Sequence, residues 1–539
     1  MFGRLFPDLP QYNGPNEAAL KALTCGQLDP SPQCTLQTQV SPLPAKKMGP
    51  MFDQNLAAPT PVPNDDNSVY VGVAPTDGCL GGTTVPCPDP NEDVPSFFTY
   101  FGQFVDHDMT LDKLLLTELL AEGRVVEPST IINNRDPRLN LDSVYGLGPE
   151  ANPELYELDK LHLRVNGRDL PRDPLCVIST QPATSAAAPD CKAILFEGRN
   201  DENQIIAQIH VAFLRAHNKL IDQGYNLQHA RELMRWRYQW IVVHEFLPEV
   251  LDPDVYAAVF HDSAITTKYF DPKQAFKAAM PVEFSVAAYR FGHSQVRRAY
   301  ILLDGCRTNS PAPAECGVGK NPKVQVFNGT AGDLHGGRQI ALDHTIFWPN
   351  FLRIVGQETG QPNTGQVTAN ISRKIDTLLS SGLFTLPAGA EPDAGTGEGT
   401  ISILAQRNLQ RANIYGLPSG QDVAARLGIK VIPNTCPVET DIPNTCPKSI
   451  ASEIPRLAAA LADPSYQGKA PLWLYILAES TVFHNGHKLG PTGSRIVAEV
   501  IGGLLAGDVR SYYRRGWTPP GGSYRAQDLL VDAGVLTLQ

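Results

Sequence analysis

Hydrophobic positions along the chain recur at the spacing of a helix more often than in the alternation of a strand. From Asp93 to about Leu115, the apolar residues Phe97, Phe101 and Phe104 repeat at helical spacing and predict a helix with one face towards the core. Strand signals are few and short. The pattern therefore predicts a mostly α fold with few short strands.

Further helices follow from the same pattern and from residues that start or stop helices. Asp201 is suited to cap a helix over 202–222, and Gly224 lies beyond its end. A third strong helix is predicted over 231–251. Additional helical segments are expected near 283–298, 371–382, 400–411, 449–463, 472–483 and 492–506.

Composition separates the N-terminal part of the chain from the rest. Residues 1–90 are rich in Pro, Gly, Asn and Asp with little periodicity, which predicts an extended arm that wraps a helical body. The formal net charge of −11 argues against nucleic acid or an anionic membrane as the main partner. No stretch approaches the length of about 18 apolar residues that a membrane span requires. The segment Met1–Pro7 lacks the apolar core of a signal peptide, so we expect a cytosolic chain or a mature form whose leader has been removed.

The ten cysteines favour the mature form. They fall into five close pairs, and an even number at short separations predicts five local disulfides, which persist in an oxidising compartment. Scattered reduced thiols are the alternative, and the absence of any CxxC spacing argues against structural zinc. A secreted or periplasmic location is therefore expected. The expected pairs are Cys25 with Cys34, Cys79 with Cys87, Cys176 with Cys191, Cys306 with Cys316, and Cys436 with Cys446.

The first candidate chemistry lies on the helix predicted from Asp93. Gln103, Asp106 and His107 share one helical face, and Asp108 lies about 100° further round. This run is compatible with a divalent-metal hydrolase whose ligands are Asp106, His107 and Asp108. It is equally compatible with proton transfer by His107, or with a histidine that is only a hydrogen-bonded polar residue.

A resemblance to a known family narrows that choice. The run Tyr100–Asp108 resembles the distal-helix signature of animal-type haem peroxidases, which belong to the peroxidase–cyclooxygenase superfamily. Other runs resemble further blocks of that family in the same order: Gly198–Glu202, Tyr289–His293, and Asn408–Arg411 followed by Gly416–Pro418.

The resemblance implies a single large haem peroxidase catalytic domain over 91–510. The disulfide-pinned arm over 1–90 would precede it, and a C-terminal tail over 511–539 would pack on the body. The implied cofactor is haem b. His293 would bind the iron, and Asn408 would accept a hydrogen bond from its other ring nitrogen. Arg290 and Arg411 would also bind the cofactor, Arg411 through a propionate.

On the opposite face of the haem, the resemblance implies proton transfer by His107 and charge stabilisation by Arg199. Gln103 matches the residue that contacts bound halide in the family. Asp106 and Glu202 match the carboxylates that form ester links to haem methyl groups.

A polar run from Asp136 resembles the calcium loop of the family. The side chains of Asp136, Asn140 and Asp142 and the carbonyl of Arg138 offer the oxygen ligands that calcium prefers. The aspartate after the distal histidine, Asp108, would complete the set, which explains why it should point away from the haem.

The implied function is a peroxidase that reduces hydrogen peroxide and, through a ferryl intermediate, oxidises halides, thiocyanate or small aromatic donors. A fatty-acid dioxygenase of the same superfamily is an alternative. That activity needs a tyrosine three residues before the proximal histidine, where this chain has Arg290, with Tyr289 one position away. A non-catalytic adhesion protein on the same scaffold is a second alternative, and it would need none of the site residues.

Overall fold

The structure of this chain is a computed structural model. It describes residues 2–12, 90–114, 116, 125–177, 190–261, 264–271, 279–303, 323–327, 332–354, 370–377, 379–384, 386, 404–434 and 461–538.

Helices form most of the regular structure in these ranges, which confirms the mostly α prediction. Numbered along the chain, they are α1 (Ser96–Met109), α2 (Asp142–Tyr145), α3 (Gln204–Asp222), α4 (Leu227–Ile241), α5 (Leu247–Val250), α6 (Pro253–Val259), α7 (Gly292–Gln295), α8 (Leu404–Ile414), α9 (Gly420–Leu427), α10 (Leu472–His484), α11 (Pro491–Gly507), α12 (Tyr512–Arg515) and α13 (Ala526–Asp532).

The described strands are short and pair only two at a time. The pairs are β1 (Phe2–Gly3) with β5 (Met280–Pro281), β2 (Pro90–Pro95) with β8 (Ile371–Arg373), β3 (Phe260–His261) with β4 (Ala264–Ile265), and β6 (Ala299–Ile301) with β7 (Lys323–Gln325). The first pair is parallel and the other three are antiparallel.

Helix α1 lies at the centre of the core rather than on its surface. It begins after Pro95, whose extended backbone (φ −60°, ψ 142°) stands outside the helix. Every residue of α1 except Gln103 is buried. The Phe104 ring stacks on Phe213 of α3 with ring centroids 4.6 Å apart. The rest of the protein therefore encloses the helix everywhere except at Gln103, whose side chain is partly exposed.

Helix α3 starts later than the sequence pattern predicted, because a different residue caps it. The side-chain oxygen of Asn203 accepts hydrogen bonds from the backbone N–H groups of Ile205 (3.1 Å) and Ile206 (3.0 Å). Asp201 was the expected cap, and that expectation is wrong. Its carboxylate instead accepts two hydrogen bonds of 2.9 Å from the guanidinium of Arg172.

The helix predicted over 371–382 is also wrong. Ile371–Arg373 forms strand β8, whose backbone pairs with β2, and a short 3₁₀ turn follows only at Ser381–Phe384. The backbone of β8 forms its hydrogen bonds with β2, a strand about 280 residues earlier in the chain. These long-range hydrogen bonds outweigh the local apolar spacing that favoured a helix. The segment predicted over 283–298 is helical but segmented, since a π turn and a 3₁₀ turn precede α7. The helix predicted over 449–463 lies almost entirely outside the described residues.

The described ends of the chain contact the body. The Phe2 N–H donates to the Ile131 carbonyl (3.1 Å), and the Tyr12 hydroxyl donates to the Tyr466 carbonyl (2.9 Å). Near the C-terminus, Lys219 of α3 forms an ion pair of 2.9 Å with Asp532. The domain boundaries expected at 90 and 510 stay predictions.

One of the five expected disulfides falls within the described residues. Cys176 and Cys191 are bonded, with their Cα atoms 5.6 Å apart. The other four expected pairs lie outside the described part of the chain and stay predictions: Cys25 with Cys34, Cys79 with Cys87, Cys306 with Cys316, and Cys436 with Cys446.

None of the described helices combines the length and apolar character needed to cross a membrane.

Candidate active site

His107 occupies a buried position on the inner face of α1. Its Nδ1 atom lies 2.9 Å from Oδ1 of Asn200, which belongs to the turn Gly198–Asp201. Burial, together with the nearby charge of Arg199, lowers the pKa of His107 to about 3. The imidazole is therefore neutral near pH 7, which is the state that can accept a proton.

Arg199 reaches the same place from the turn before α3. Its guanidinium donates to the backbone carbonyl of His107 (3.4 Å) and to that of Thr110. Two further hydrogen bonds of 2.9 Å join it to the carboxylate of Glu197. The cation is thus fixed beside the backbone of α1.

Glu197 was not among the residues identified from the sequence, although it stands only two positions before Arg199. It is almost wholly buried between two arginines and also accepts a hydrogen bond of 2.7 Å from Arg135. Burial alone would raise the pKa of Glu197, but the charges of Arg199 and Arg135 hold it below its ordinary value. A carboxylate so close in sequence to a proposed catalytic arginine was the signal available.

Gln103 and Glu202 form a polar cluster at the open edge of α1. The Gln103 amide donates to Oε1 of Glu202, and Asn203 donates to Oε1 of Gln103 at 3.2 Å. The Nε2 atom of His107 lies 4.0 Å from the same Glu202 oxygen. Asp106 accepts a hydrogen bond of 3.0 Å from the Thr110 hydroxyl.

His293 lies on α7, which packs against α1. Its Nδ1 atom is 2.8 Å from the amide nitrogen Nδ2 of Asn408 on α8, so the two blocks that the sequence separates by 115 positions meet here, with the Asn408 nitrogen and not its oxygen next to the ring. Burial, with the charges of Arg290 and His107, holds the pKa of His293 well below its ordinary value. His293 is partly exposed, although it is surrounded by other parts of the protein.

The two arginines expected to bind the cofactor, Arg290 and Arg411, have different partners in the structure. Arg290 donates from Nε to the Ser285 carbonyl (2.8 Å), and its charge lowers the pKa of both His107 and His293. Arg411 lies 3.8 Å from a carboxylate oxygen of Asp112.

The metal-hydrolase alternative required Asp106, His107 and Asp108 to converge, and they do not. Asp106 binds Thr110, His107 binds Asn200, and Asp108 turns towards the segment after Leu139. Across the described part of the chain, no group of three or more histidine, cysteine, aspartate or glutamate side chains has the arrangement of a metal site.

Asp108 contacts the loop that the sequence assigned to calcium. Its carboxylate accepts hydrogen bonds from the Leu141 N–H (3.1 Å), the Ser143 N–H (3.2 Å) and the Ser143 hydroxyl (2.8 Å). Leu139 and Leu141 both adopt positive φ (53° and 60°), a backbone shape that leucine rarely takes. The loop is therefore held in a specific, locally unfavourable form against the helix that carries His107.

Asp142 of this loop and Asp108 of α1 lie close enough for their charges to interact. Burial and the charge of Asp108 raise the pKa of Asp142 to about 8, and Oδ1 of Asp142 has no hydrogen-bond partner among the described residues. Asp136 instead accepts hydrogen bonds of 2.6 Å from Nε of Arg138 and from the amide of Asn140. The donor set suits a hard cation at Asp108 and Asp142, whereas the Arg138 side chain already neutralises Asp136.

Comparison with protein families identifies the domain. The profile described as animal haem peroxidase matches residues 115–527 of this chain. The chain belongs to the animal haem peroxidase family. The matched range includes Arg199, His293 and Asn408 and begins just after α1, so the roles expected of Gln103 and His107 depend on the resemblance and geometry described above.

Curated animal haem peroxidases resemble this chain at low identity. A peroxidase-like protein of Margaritifera margaritifera is 26% identical over 267 residues, which cover 38% of this chain and 32% of that protein. Thyroid peroxidase of Rattus norvegicus is 23% identical over 414 residues, which cover 71% of this chain and 38% of that protein. The matched parts span about a third of the length of these relatives.

Solved structures of the wider superfamily share the fold. Peroxidase A from Dictyostelium discoideum superimposes with a TM-score of 0.53 at 17% identity, covering 90% of this chain and 92% of that one. Fatty acid alpha-dioxygenase from Oryza sativa gives a TM-score of 0.53 at 12% identity, covering 83% of this chain and 73% of that one.

The haem that an animal haem peroxidase binds fits the residues present. Asn408 contacts Nδ1 of His293. No described residue forms a hydrogen bond to Nε2 of His293, so that nitrogen is available to bind iron. The low pKa keeps the ring unprotonated at one nitrogen, as a metal ligand must be. A neutral imidazole with a carboxamide behind it is a donor set suited to haem iron.

Proposed function

We propose that the chain is a haem peroxidase that reduces hydrogen peroxide and oxidises a halide, thiocyanate or a small aromatic donor. The observation that carries this proposal is the position of the neutral base His107 beside the cation Arg199, on a helix packed against the turn that holds His293. A base and a fixed cation in a buried site provide the two groups that cleavage of an O–O bond requires.

His293 would hold haem b through Nε2. When bound, the haem supplies an iron centre that takes two oxidising equivalents from peroxide and passes them to the donor. Rotating the Asn408 carboxamide by half a turn exchanges the positions of Nδ2 and Oδ1, and its oxygen would then accept the Nδ1–H of His293. An amide is uncharged, so it leaves the imidazole less electron-rich than a carboxylate partner would.

Nε2 of His107 would accept a proton from hydrogen peroxide and return it to the oxygen that leaves as water. Arg199 stabilises the negative charge that develops as the O–O bond breaks. Because Glu197 and two backbone carbonyls already hold the guanidinium, Arg199 does not have to reorient during the reaction.

We assign the contact with a small anion to Gln103, the only residue of α1 that is not buried. Its amide donates to Glu202, a carboxylate that would repel an anion. An ester link between Glu202 and the haem would remove that charge, and a second link is proposed at Asp106. Acid–organic extraction tests both links, since haem that leaves freely from peroxide-treated enzyme would contradict them.

A calcium ion and a secreted or periplasmic location complete the proposal. Calcium would bind the carboxylates of Asp108 and Asp142, with the oxygens of Asn140, Asp136 and the Arg138 carbonyl as further candidates. The Cys176–Cys191 disulfide supports an oxidising compartment.

An absorption spectrum of haem-replete protein, before and after one equivalent of peroxide, tests the function. We expect a haem spectrum that peroxide changes within the mixing time. His107→Ala should keep the haem but react about a hundredfold or more slowly, because the base is lost. His293→Ala should lose haem or activity.

His229→Ala is the matched control, because His229 is exposed and makes no contact with the site. Colourless, iron-free protein from a haem-replete preparation would contradict the proposal, as would a fully active His293→Ala variant. Oxygen uptake with an unsaturated fatty acid separates a peroxidase from a dioxygenase. We expect none, since Tyr289 lies four residues before His293 and its ring stacks on Phe284 at 4.7 Å.

A further inference from the structure

A chain of hydrogen bonds connects His107 to a second buried histidine. Nδ1 of His107 lies 2.9 Å from Oδ1 of Asn200, and Nδ2 of Asn200 lies 2.9 Å from Nδ1 of His210 on α3. All three side chains are buried. Neither Asn200 nor His210 is among the residues to which the resemblance assigns a role.

With its oxygen next to His107 and its nitrogen next to His210, the amide of Asn200 determines which nitrogen of each ring carries a proton. A neutral imidazole has one N–H and one unprotonated nitrogen. The amide oxygen can only accept, so His107 donates from Nδ1 and its Nε2 keeps a lone pair. The amide nitrogen can only donate, so Nδ1 of His210 is the acceptor and the proton of that ring is on Nε2.

The position of His210 is otherwise unfavourable, which points to a role. Its Nε2 is buried and has no hydrogen-bond partner among the described residues. The His210 ring lies edge-on to Phe104, with ring centroids 6.0 Å apart. An apolar side chain could make this packing contact without burying an unpaired polar nitrogen. Among the described residues, the one hydrogen bond of the His210 side chain is the one that it accepts from Asn200.

An opposing influence makes this arrangement necessary. While Glu202 is not linked to haem, its carboxylate lies 4.0 Å from Nε2 of His107 and favours a proton on that nitrogen. A proton there would remove the lone pair that faces the site. The Asn200 oxygen, at hydrogen-bond distance from Nδ1, favours the other tautomer.

We propose that Asn200, oriented by His210, is a positioning residue that keeps the proton of His107 on Nδ1 and leaves Nε2 to accept a proton. The part of this inference that concerns peroxide rests on the proposed function. The tautomer itself is a property of the folded chain and can be measured separately.

Selective ¹⁵N labelling of histidine in the diamagnetic ferrous carbonyl form reports which ring nitrogens are protonated. We expect an unprotonated Nε2 on His107 in the parent protein. Asn200→Leu, of similar volume but without an acceptor, should move the proton to Nε2. Asn200→Asp keeps an acceptor at the same place and should restore the parent pattern.

Cyanide binding at pH 7 gives a second readout, because hydrogen cyanide must transfer its proton to the distal base. Asn200→Leu should raise the Kd about tenfold or more, the effect of one lost hydrogen bond to a charged group. His210→Phe, which retains a ring, should raise it in the same direction. His217→Phe removes another buried histidine from the same helix and should leave it unchanged.

The proposal fails if Asn200→Leu and His210→Phe both keep Nε2 of His107 unprotonated and bind cyanide within twofold of the parent. His210→Phe carries the test alone if Asn200→Leu does not fold. A parent protein that shows the expected tautomer and a haem spectrum but does not react with peroxide would refute the proposed function and leave this inference standing.

Discussion

At the scale of single residues, burial and a few close neighbours determine the chemistry of the site. Burial lowers the pKa of His107 to about 3, so an ordinary histidine becomes a base that stays neutral in mildly acidic solution. Glu197 is buried as deeply, yet two guanidinium groups keep it ionised. Burial therefore keeps His107 neutral, whereas Glu197 stays charged because two neighbouring guanidinium groups offset the cost of its burial.

Glu197 should matter to catalysis although it does not touch the proposed reactants. Glu197→Gln keeps the shape but removes the charge that fixes Arg199 through two hydrogen bonds. We expect the rate of reaction with peroxide to fall about tenfold while haem content is unchanged, because the cation becomes less well fixed. Stopped-flow absorbance measures this rate. Glu154→Gln, at an exposed position, is the control, and an unchanged rate in Glu197→Gln would contradict a positioning role.

His217 predicts a pH dependence of stability that is separate from the site. It accepts a hydrogen bond from the Tyr145 hydroxyl (3.1 Å) and donates to the Leu161 carbonyl (3.0 Å), which satisfies its neutral form. Burial lowers its pKa to about 4, against the value of 6.5 expected in the unfolded chain. Between these values the unfolded state binds more protons, so stability is full above pH 6.5 and falls as the pH drops towards 4.

The histidine should contribute about 3 kcal/mol to the loss of unfolding free energy across that window. His217→Gln cannot be protonated, so its unfolding free energy, measured with urea, should change less steeply between pH 6.5 and 4. Parallel pH profiles for the two proteins would be inconsistent with a buried neutral His217.

At the scale of elements, the caps of the helices connect stability to the site. Asn203 caps α3 and also donates to Gln103, whereas Asn226 caps α4 through the His229 N–H (2.9 Å) and has no described contact with the site. The two residues are thus equivalent for helix formation and different for chemistry.

Replacing either cap by alanine should cost about 1 kcal/mol of unfolding free energy. Asn203→Ala should also change the Kd for a small anion such as thiocyanate, measured from the haem spectrum, because Gln103 loses the hydrogen bond that it accepts from Asn203. Asn226→Ala should leave that Kd unchanged. Equal effects of both variants on anion binding would rule out the link between cap and site.

At the scale of the whole molecule, two acidic side chains link distant parts of the chain: Asp142 of the loop from Asp136 to Asp142, and Asp108 of the helix that carries His107. Asp108 and Asp142 repel each other, and an oxygen of Asp142 is without a hydrogen-bond partner among the described residues. A divalent cation would relieve both costs and tie the loop to α1.

Calcium should therefore stabilise the protein as a whole. We expect a chelator to lower the thermal midpoint and calcium, but not magnesium, to restore it, as followed by circular dichroism. Asp142→Asn should lose the response to calcium while the protein still folds, because the amide removes the repulsion. A thermal midpoint that does not respond to chelator or calcium would contradict the site.

The sequence by itself determined what depends on neighbours along the chain. The helices over Gln204–Asp222 and Pro491–Gly507 could be predicted because their hydrogen bonds and apolar spacing are local. The blocks around Arg199, His293 and Asn408 could be recognised because the family places these residue types in a fixed order.

Only the tertiary structure decided which partners those residues have. Asp201 pairs with Arg172 and does not cap α3, and residues 371–373 form a strand because β2 lies beside them. Nothing local distinguishes Asn200 and His210 from other polar residues of a helix and its start. Their proposed roles arise because folding buries Asn200 against His107 and His210 against Asn200. Contacts between residues far apart in the chain leave no repeating pattern in the sequence from which they could be predicted.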